Sequence, residues 1–327
     1  MNRYRRSLAS GCLAALAGLG ALSAPAQAQT YPTRSITMIV PFAAGGPTDV
    51  IARIVTGHMA QTLGQTIIIE NVVGAGGTTA TTRAARAAND GYTLITGHMG
   101  THAASVPLYP KLAYHPEKDF EPVALLAGTP ILILARKDFA PKDLKEFIAY
   151  LKANETKVNA AHAGVGSVSN VSCELLNSVL GVKPIGVPFN GTGPAMNALV
   201  GGQVDYMCDQ IVNAVPQING GTIKAYAVAT AERNPSLPNV PTTTEAGLPA
   251  FQAQAWNAIF APKGTPAPII AKLNEAAGKA LNDEGVRKRL LDLGSVIPGP
   301  ADRTPEALAK LVKDEIAKWT PVLKPAG

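Results

Sequence analysis

The sequence predicts an α/β protein of two lobes with a ligand cleft between them. Three observations carry that expectation. Short β-branched runs alternate with amphipathic segments from residue 35 onward, the chain is longer than one core usually needs, and Gly/Ser/Thr-rich turns directly follow several of the expected strands.

Residues 1–28 read as a cleaved signal peptide: basic Arg3, Arg5 and Arg6, an apolar run over 13–22, and Ala26-Gln27-Ala28 as a small-x-small cleavage site. The mature chain is then expected to start at Gln29. The apolar run falls well short of the ~20 residues that span a bilayer, and no later segment is long enough. Cys12 has no apolar region before it, which argues against lipoprotein processing. The whole chain carries a formal charge of +6, and three arginines of that lie in the leader, so the mature protein is near +3. With no block of Lys/Arg interleaved with aromatics, nucleic acid is not an expected partner. Cys173 and Cys208 remain after cleavage at a spacing that fits no metal motif. The preferred reading is two buried small apolar side chains, with a disulfide as the alternative in an oxidising compartment.

The first strand is Ile36–Val40. A helix follows from Pro47, with Val50, Ile51, Ile54, Val55 and Met59 at helical spacing and Gly64 to close it. Strand 67–69, a helix over 78–88, an Asn89-Asp90-Gly91 turn and strand 92–96 complete the first series. A second series opens with strand 131–135 and helix 144–152, whose Leu144, Phe147, Ile148 and Leu151 share a face. It continues through strands near 158–161, 185–189, 204–208 and 223–229. A Pro-rich stretch over 234–249 reads as the return to the first lobe, where strand 256–260 and three helical segments finish the chain. The expected organisation is a discontinuous first lobe, 29–130 with 250–327, and a continuous second lobe, 131–249.

Function concentrates in the turns. Pro41-Phe42-Ala43-Ala44-Gly45-Gly46-Pro47-Thr48-Asp49, Gly74-Ala75-Gly76-Gly77-Thr78-Thr79, Gly164-Val165-Gly166-Ser167 and Asn190-Gly191-Thr192-Gly193-Pro194 each lead from a strand into a helix. At the carboxyl ends of an open α/β sheet such turns line the ligand crevice, and unpaired helix-start N–H groups favour an anion. One such turn alone is as well explained by helix packing, but four divided between two lobes are not. The spans 41–49, 71–82, 97–105, 162–172, 188–197 and 205–213 contain no Lys or Arg, only His98, His102 and His162. A carboxylate held there would be gripped by neutral donors and water rather than by an arginine fork.

The residues expected at the cleft are Phe42, Ala44, Gly45, Gly46, Thr48, Gly76, Gly77, Thr78, Thr101 and His102 from the first lobe, and Gly166, Ser167, Asn190, Gly191 and Asp209 from the second. Asp209 is read either as a cleft-rim charge or as the N-cap of a helix beginning at Ile211. Asp49 is read as a first-turn acid serving its own helix. No catalytic or cofactor motif is present: the second turn lacks the third glycine of a dinucleotide fingerprint, no P-loop occurs, and 164–169 is no nucleophile elbow. His98 and His102 stand four apart without an HExxH context, so no metal is expected.

These motifs resemble the Bug family, the solute receptors of tripartite tricarboxylate transporters. The resemblance runs over the whole mature chain and rests on the first two turns, Glu70-Asn71, Gly191-Thr192-Gly193-Pro194-Ala195, Gly201-Gly202-Gln203-Val204-Asp205, Leu237-Pro238-Asn239-Val240-Pro241-Thr242 with Glu245-Ala246-Gly247, and Ala261-Pro262-Lys263-Gly264-Thr265-Pro266. It implies a type II periplasmic binding-protein fold, a monomer that closes over a small carboxylate and delivers it to membrane subunits of the transporter, with no cofactor and no catalysis. A periplasmic sensor subunit and an α/β enzyme lacking recognisable motifs are the rival classes. The chain departs from the family at Ser167-Val168-Ser169-Asn170, where Ser-x-x-His is common, and at Cys208-Asp209, where an aromatic commonly precedes the Asp. Both departures fall where the family reads the variable end of the ligand, and they resemble chains that take aromatic dicarboxylates.

Overall fold

The computed structural model describes residues 31–323, so the expected signal peptide lies outside them. Strand β1 (Ile36–Val40) leads through the first glycine turn into α1 (Pro47–Leu63). Pro47 sits where its missing N–H costs nothing, and Gly64 at φ +69° ends the helix in the left-handed region. Next come β2 (Ile67–Asn71), a 3-10 turn over Ala75–Gly77, α2 (Thr78–Ala85), β3 (Thr93–His98), a π-helical turn over Gly100–Ala104 and α3 (Ser105–Leu108). After the long β4 (Phe120–Arg136) the chain runs α4 (Leu144–Asn154), β5 (Asn159–His162), α5 (Val168–Leu180), β6 (Ile185–Pro188), α6 (Thr192–Val200), β7 (Tyr206–Gln210), α7 (Ile211–Asn219) and β8 (Ile223–Val228). It closes with β9 (Gln254–Pro262), α8 (Ala267–Asn282), α9 (Glu284–Asp292) and α10 (Pro305–Trp319).

The strands follow the order β2-β1-β3-β9-β4-β7-β5-β6, with β8 on the other side of β4. Pairing is parallel among β2, β1 and β3 and among β6, β5 and β7, and antiparallel wherever β4 or β9 takes part. The parallel strands therefore direct their carboxyl-end turns toward one another across the crossing strand. β4 changes partners midway: Phe120 to Pro130 pair with β9, whereas Ile131 to Arg136 pair with β7 and β8. Sequence reading finds only the second half of this strand. Its first half carries Pro122, Gly128 and Pro130, which spoil a strand pattern, but it lies at the edge of its sheet, where proline is tolerated, and it absorbs two register shifts.

Two buried clusters divide by sheet face rather than by lobe. Leu94, Ile259, Leu132 and Met207 point to the side covered by α1, α8, α9, α6 and α7, while the alternating Ile95, Phe260, Ile133 and Tyr206 point to the side covered by α2, α4, α5 and α10. This strict alternation fixes register, because a one-residue slip would turn every core side chain to the wrong layer. The cysteines correct the sequence expectation of separate thiols: Cys173 on α5 and Cys208 on β7 form a disulfide, with Cα atoms 5.2 Å apart. β7 also starts two residues later than its pattern suggests, which places Asp209 inside the strand and Gln210 at its end.

Candidate functional site

The turns from the two halves meet directly. The amide of Ala43 donates to the carbonyl of Asn190 (3.0 Å), and the Tyr109 hydroxyl donates to the carbonyl of Val165 (2.8 Å). Glycine makes this approach possible. A Cβ on Gly76 would lie 1.8 Å from the Val165 oxygen, one on Gly193 2.8 Å from the Ala44 oxygen, and one on Gly46 3.1 Å from the Thr192 hydroxyl.

Helices α1 and α6 begin at this junction, and neither has a side-chain cap: Gly46 and Gly191 hold the cap positions. Their first-turn N–H groups are therefore free to bind an anion, and the two macrodipoles add to that preference. Between them is a tight cavity of about 20 Å³ lined by Phe42, Gly46, Thr48, His98, Ser167, Ser169, Thr192 and Gln210 among others. A wider groove of about 430 Å³ shares Phe42 and Ala163 with it and adds Gly76, Tyr109, Val165 and Asn190.

The cavity's floor is a buried hydrogen-bonded set. Thr48 Oγ1 donates to Asn257 Oδ1 (3.2 Å), and Gln210 Oε1 accepts from Thr129 Oγ1 (2.7 Å) and Asn257 Nδ2 (3.0 Å). His98 is stacked on Phe42 with ring centroids 5.2 Å apart. Burial holds the His98 imidazole neutral, its pKa lowered to about 3. On the second half, Ser167 caps α5, accepting from the Asn170 amide (3.2 Å) and donating to the Gly164 carbonyl (2.7 Å). Asn170 Oδ1 in turn accepts from the Gly166 amide (3.0 Å), so the departure from Ser-x-x-His still braces the turn.

Acidic groups near the cavity are already engaged. Burial raises the Asp49 pKa, but hydrogen bonds from Arg53, the Gly45 amide and Asn71 outweigh it and hold the carboxyl below its ordinary range. Asp49 thus braces the first turn, consistent with a first-turn acid. Asp209 is neither a rim charge nor the cap of α7: that position belongs to Gln210, and Asp209 is fully buried, accepting from Asn213 Nδ2 (2.6 Å) and the Gln210 amide (2.8 Å). Burial pushes its pKa up to about 7, against those two hydrogen bonds.

Of the cleft residues expected from sequence, Phe42, Gly46, Thr48 and Ser167 line the inner cavity, and Gly76 and Asn190 line the groove. Gly191 meets the Ala43 amide across the junction, and Gly77 and Gly166 pack against Thr101 and Tyr109 as turn residues. Ala44 and Gly45 are exposed, their backbone lying against Gly193, and Thr78 ties its own helix start to the Ala75 carbonyl. Thr101 and His102 are corrections: both are fully buried behind the cavity, with His102 stacked on Phe260 at 3.9 Å. Sequence reading missed His98, Ser169, Thr192, Gln210 and Asn257. His98 and Gln210 stand at strand ends, the position that could have found them. Among the described residues, no cluster of His, Cys, Asp or Glu could hold a metal, and no helix is long and apolar enough to cross a membrane.

Comparison with known proteins places this geometry among relatives. Residues 51–327 match the family model described as the tripartite tricarboxylate transporter family receptor. The chain is similar to MatC (Rpa3494) from Rhodopseudomonas palustris, solved with bound malate, at 60% identity and TM-score 0.87, covering 89% of this chain and 99% of that one. It is similar to the periplasmic binding protein BugD at 41% identity and TM-score 0.87, covering 90% and 100%. It is also similar to R. palustris Rpa4515, solved with adipate, at 32% identity and TM-score 0.85, again covering 90% and 100%.

Proposed function

Because the chain belongs to the tripartite tricarboxylate transporter receptor family, the Bug-type solute receptors with the two-lobed periplasmic binding-protein fold, we propose that it captures a short aliphatic dicarboxylate and delivers it to its transporter. The observation that carries this reading is the pair of uncapped helix starts, α1 and α6, facing each other across a cavity without Lys or Arg in its lining. Two sets of free N–H groups suit a carboxylate, and a grip made of neutral donors releases its ligand readily. The second-lobe departures suggest an aromatic dicarboxylate, but the ligands of the similar receptors favour an aliphatic one. The malate and adipate bound by the two Rhodopseudomonas relatives are of this compact aliphatic kind, and the closer of them in sequence carries malate.

The lobes of this receptor are residues 29–130 with 250–327, and 131–249. Support comes from β4, which changes sheets between Pro130 and Ile131, and from β9, which begins at Gln254 beside that crossing. The reading is of a binding protein rather than an enzyme, monomeric and periplasmic, with the transporter's membrane subunits as partners. A thermal-shift screen over mono-, di- and tricarboxylates tests it: four-carbon dicarboxylates should raise the melting temperature most. No stabilisation by any carboxylate in the set would overturn the reading.

A further inference from the structure

His98 ends β3 with its ring against the inner cavity, and two backbone amides decide its chemistry. Its Nδ1 accepts from the amides of Gly100 (2.9 Å) and Thr101 (3.3 Å). An amide N–H only donates, so Nδ1 carries no proton and the proton of the neutral ring is on Nε2. The residue is 1% exposed and lines the inner cavity, and the protein engages the ring through Nδ1. An N–H held toward the cavity suits an oxygen acceptor on whatever fills it. No charge in the lining is free to receive a cation, since Asp49 is saturated by Arg53, Asn71 and the Gly45 amide. The π-helical turn over Gly100–Ala104 keeps those two amides aimed back at the ring.

We propose that His98 is a ligand-reading residue, a fixed neutral donor whose Nε2–H binds an oxygen acceptor of the solute and excludes an ammonium from that position. This rests on the carboxylate-receptor reading and adds to it that the solute group standing against His98 is an oxygen acceptor, such as a carboxylate or hydroxyl oxygen. Behind the turn, Ser105 and Tyr114 donate to the Thr101 carbonyl and the Thr101 hydroxyl pairs with His102, so these groups are turned away from the cavity that His98 faces.

A pair of variants separates its two faces. In His98→Asn the amide oxygen stands near the place of Nδ1, keeping the turn's acceptor while removing the cavity donor. In His98→Gln the side-chain NH2 reaches the place of Nε2 and the turn's acceptor is lost. Calorimetric titration with malate should show His98→Asn melting close to the wild type but binding roughly 10- to 100-fold more weakly, the range for losing a hydrogen bond to a charged group. His98→Gln should melt lower yet keep most of its affinity. Nitrogen chemical shifts of the imidazole should report the Nε2–H tautomer. Unchanged malate affinity in His98→Asn or an Nδ1–H tautomer overturns the inference while leaving the receptor reading intact. A wild type that binds no dicarboxylate removes the reading and the inference together.

Discussion

The amide of Ala43, in the turn after β1, donates to the carbonyl of Asn190, in the turn after β6, across 3.0 Å. These residues belong to opposite halves of the molecule, and the bond is available only when the halves have come together. With the Tyr109 to Val165 bond it defines a closed conformation. Ligand binding should therefore shift the population toward this geometry by rotation about the crossing near Pro130. Solution scattering should show a smaller radius of gyration with ligand than without, and an unchanged profile at saturation would remove the closure mechanism.

Gly76, in the groove lining, tests how closely the halves must approach. At φ +61° with its virtual Cβ 1.8 Å from the Val165 oxygen, Gly76→Val would strain the turn by about 1 kcal/mol and wedge the halves apart. The variant should fold, with a small loss of melting temperature, and fail to bind. Normal affinity would show that the halves need not approach this closely.

Asp209 predicts a specific pH dependence. Its folded pKa, about 7, lies above the unfolded carboxylate value because burial disfavours the charge. A raised acid stabilises the fold below the unfolded pKa and loses that contribution as pH climbs through the window up to about 7. Asp209→Asn should thus gain stability relative to the wild type between pH 4 and 7, by up to about 1.4 kcal/mol per unit. The affinity for the best ligand should not change, because the carboxyl does not line the cavity. Urea denaturation at several pH values reads this; parallel curves would falsify the buried-acid assignment.

His98 acts in the opposite direction. Its folded pKa of about 3 lies below the unfolded histidine value, so its contribution is present above about pH 6.5 and is lost as pH falls toward 3. His98→Asn should flatten the acid limb of the stability curve on chemical denaturation, and an unaltered limb would mean that the ring is charged in the native state.

The disulfide closes a loop between residues 35 apart, and reduction should cost about 2–4 kcal/mol by freeing the unfolded chain. Cys173→Ala with Cys208→Ala should fall in the same range with ligand affinity retained, since neither sulfur lines the cavity. Identical unfolding midpoints with and without reductant would show that the pair contributes nothing.

The sequence by itself determined what depends on near neighbours. Ile36–Val40 as a strand, Pro47 and Gly64 as the ends of α1, and the turns where Gly46, Gly76 and Gly191 bring backbone to backbone are set by periodicity, by the left-handed φ of Gly64 and Gly76, and by the missing Cβ at all three turn glycines. The freedom of those turns from Lys and Arg was legible too, and with it a site for an anion held by neutral groups. Tertiary structure decided everything that needed a distant partner. The first half of β4 is a strand only because β9 pairs with it, and the cysteines join only because α5 lies on β7. Asp209 and Gln210, adjacent in sequence, part company because β7 alternates its faces, sending one carboxyl into the interior and one amide to the cavity. His98 and His102, four residues apart in one turn, differ for the same reason: backbone amides and the stacked Phe260 fix one ring toward the cavity and one into the core, and neither environment is encoded in the residues beside them.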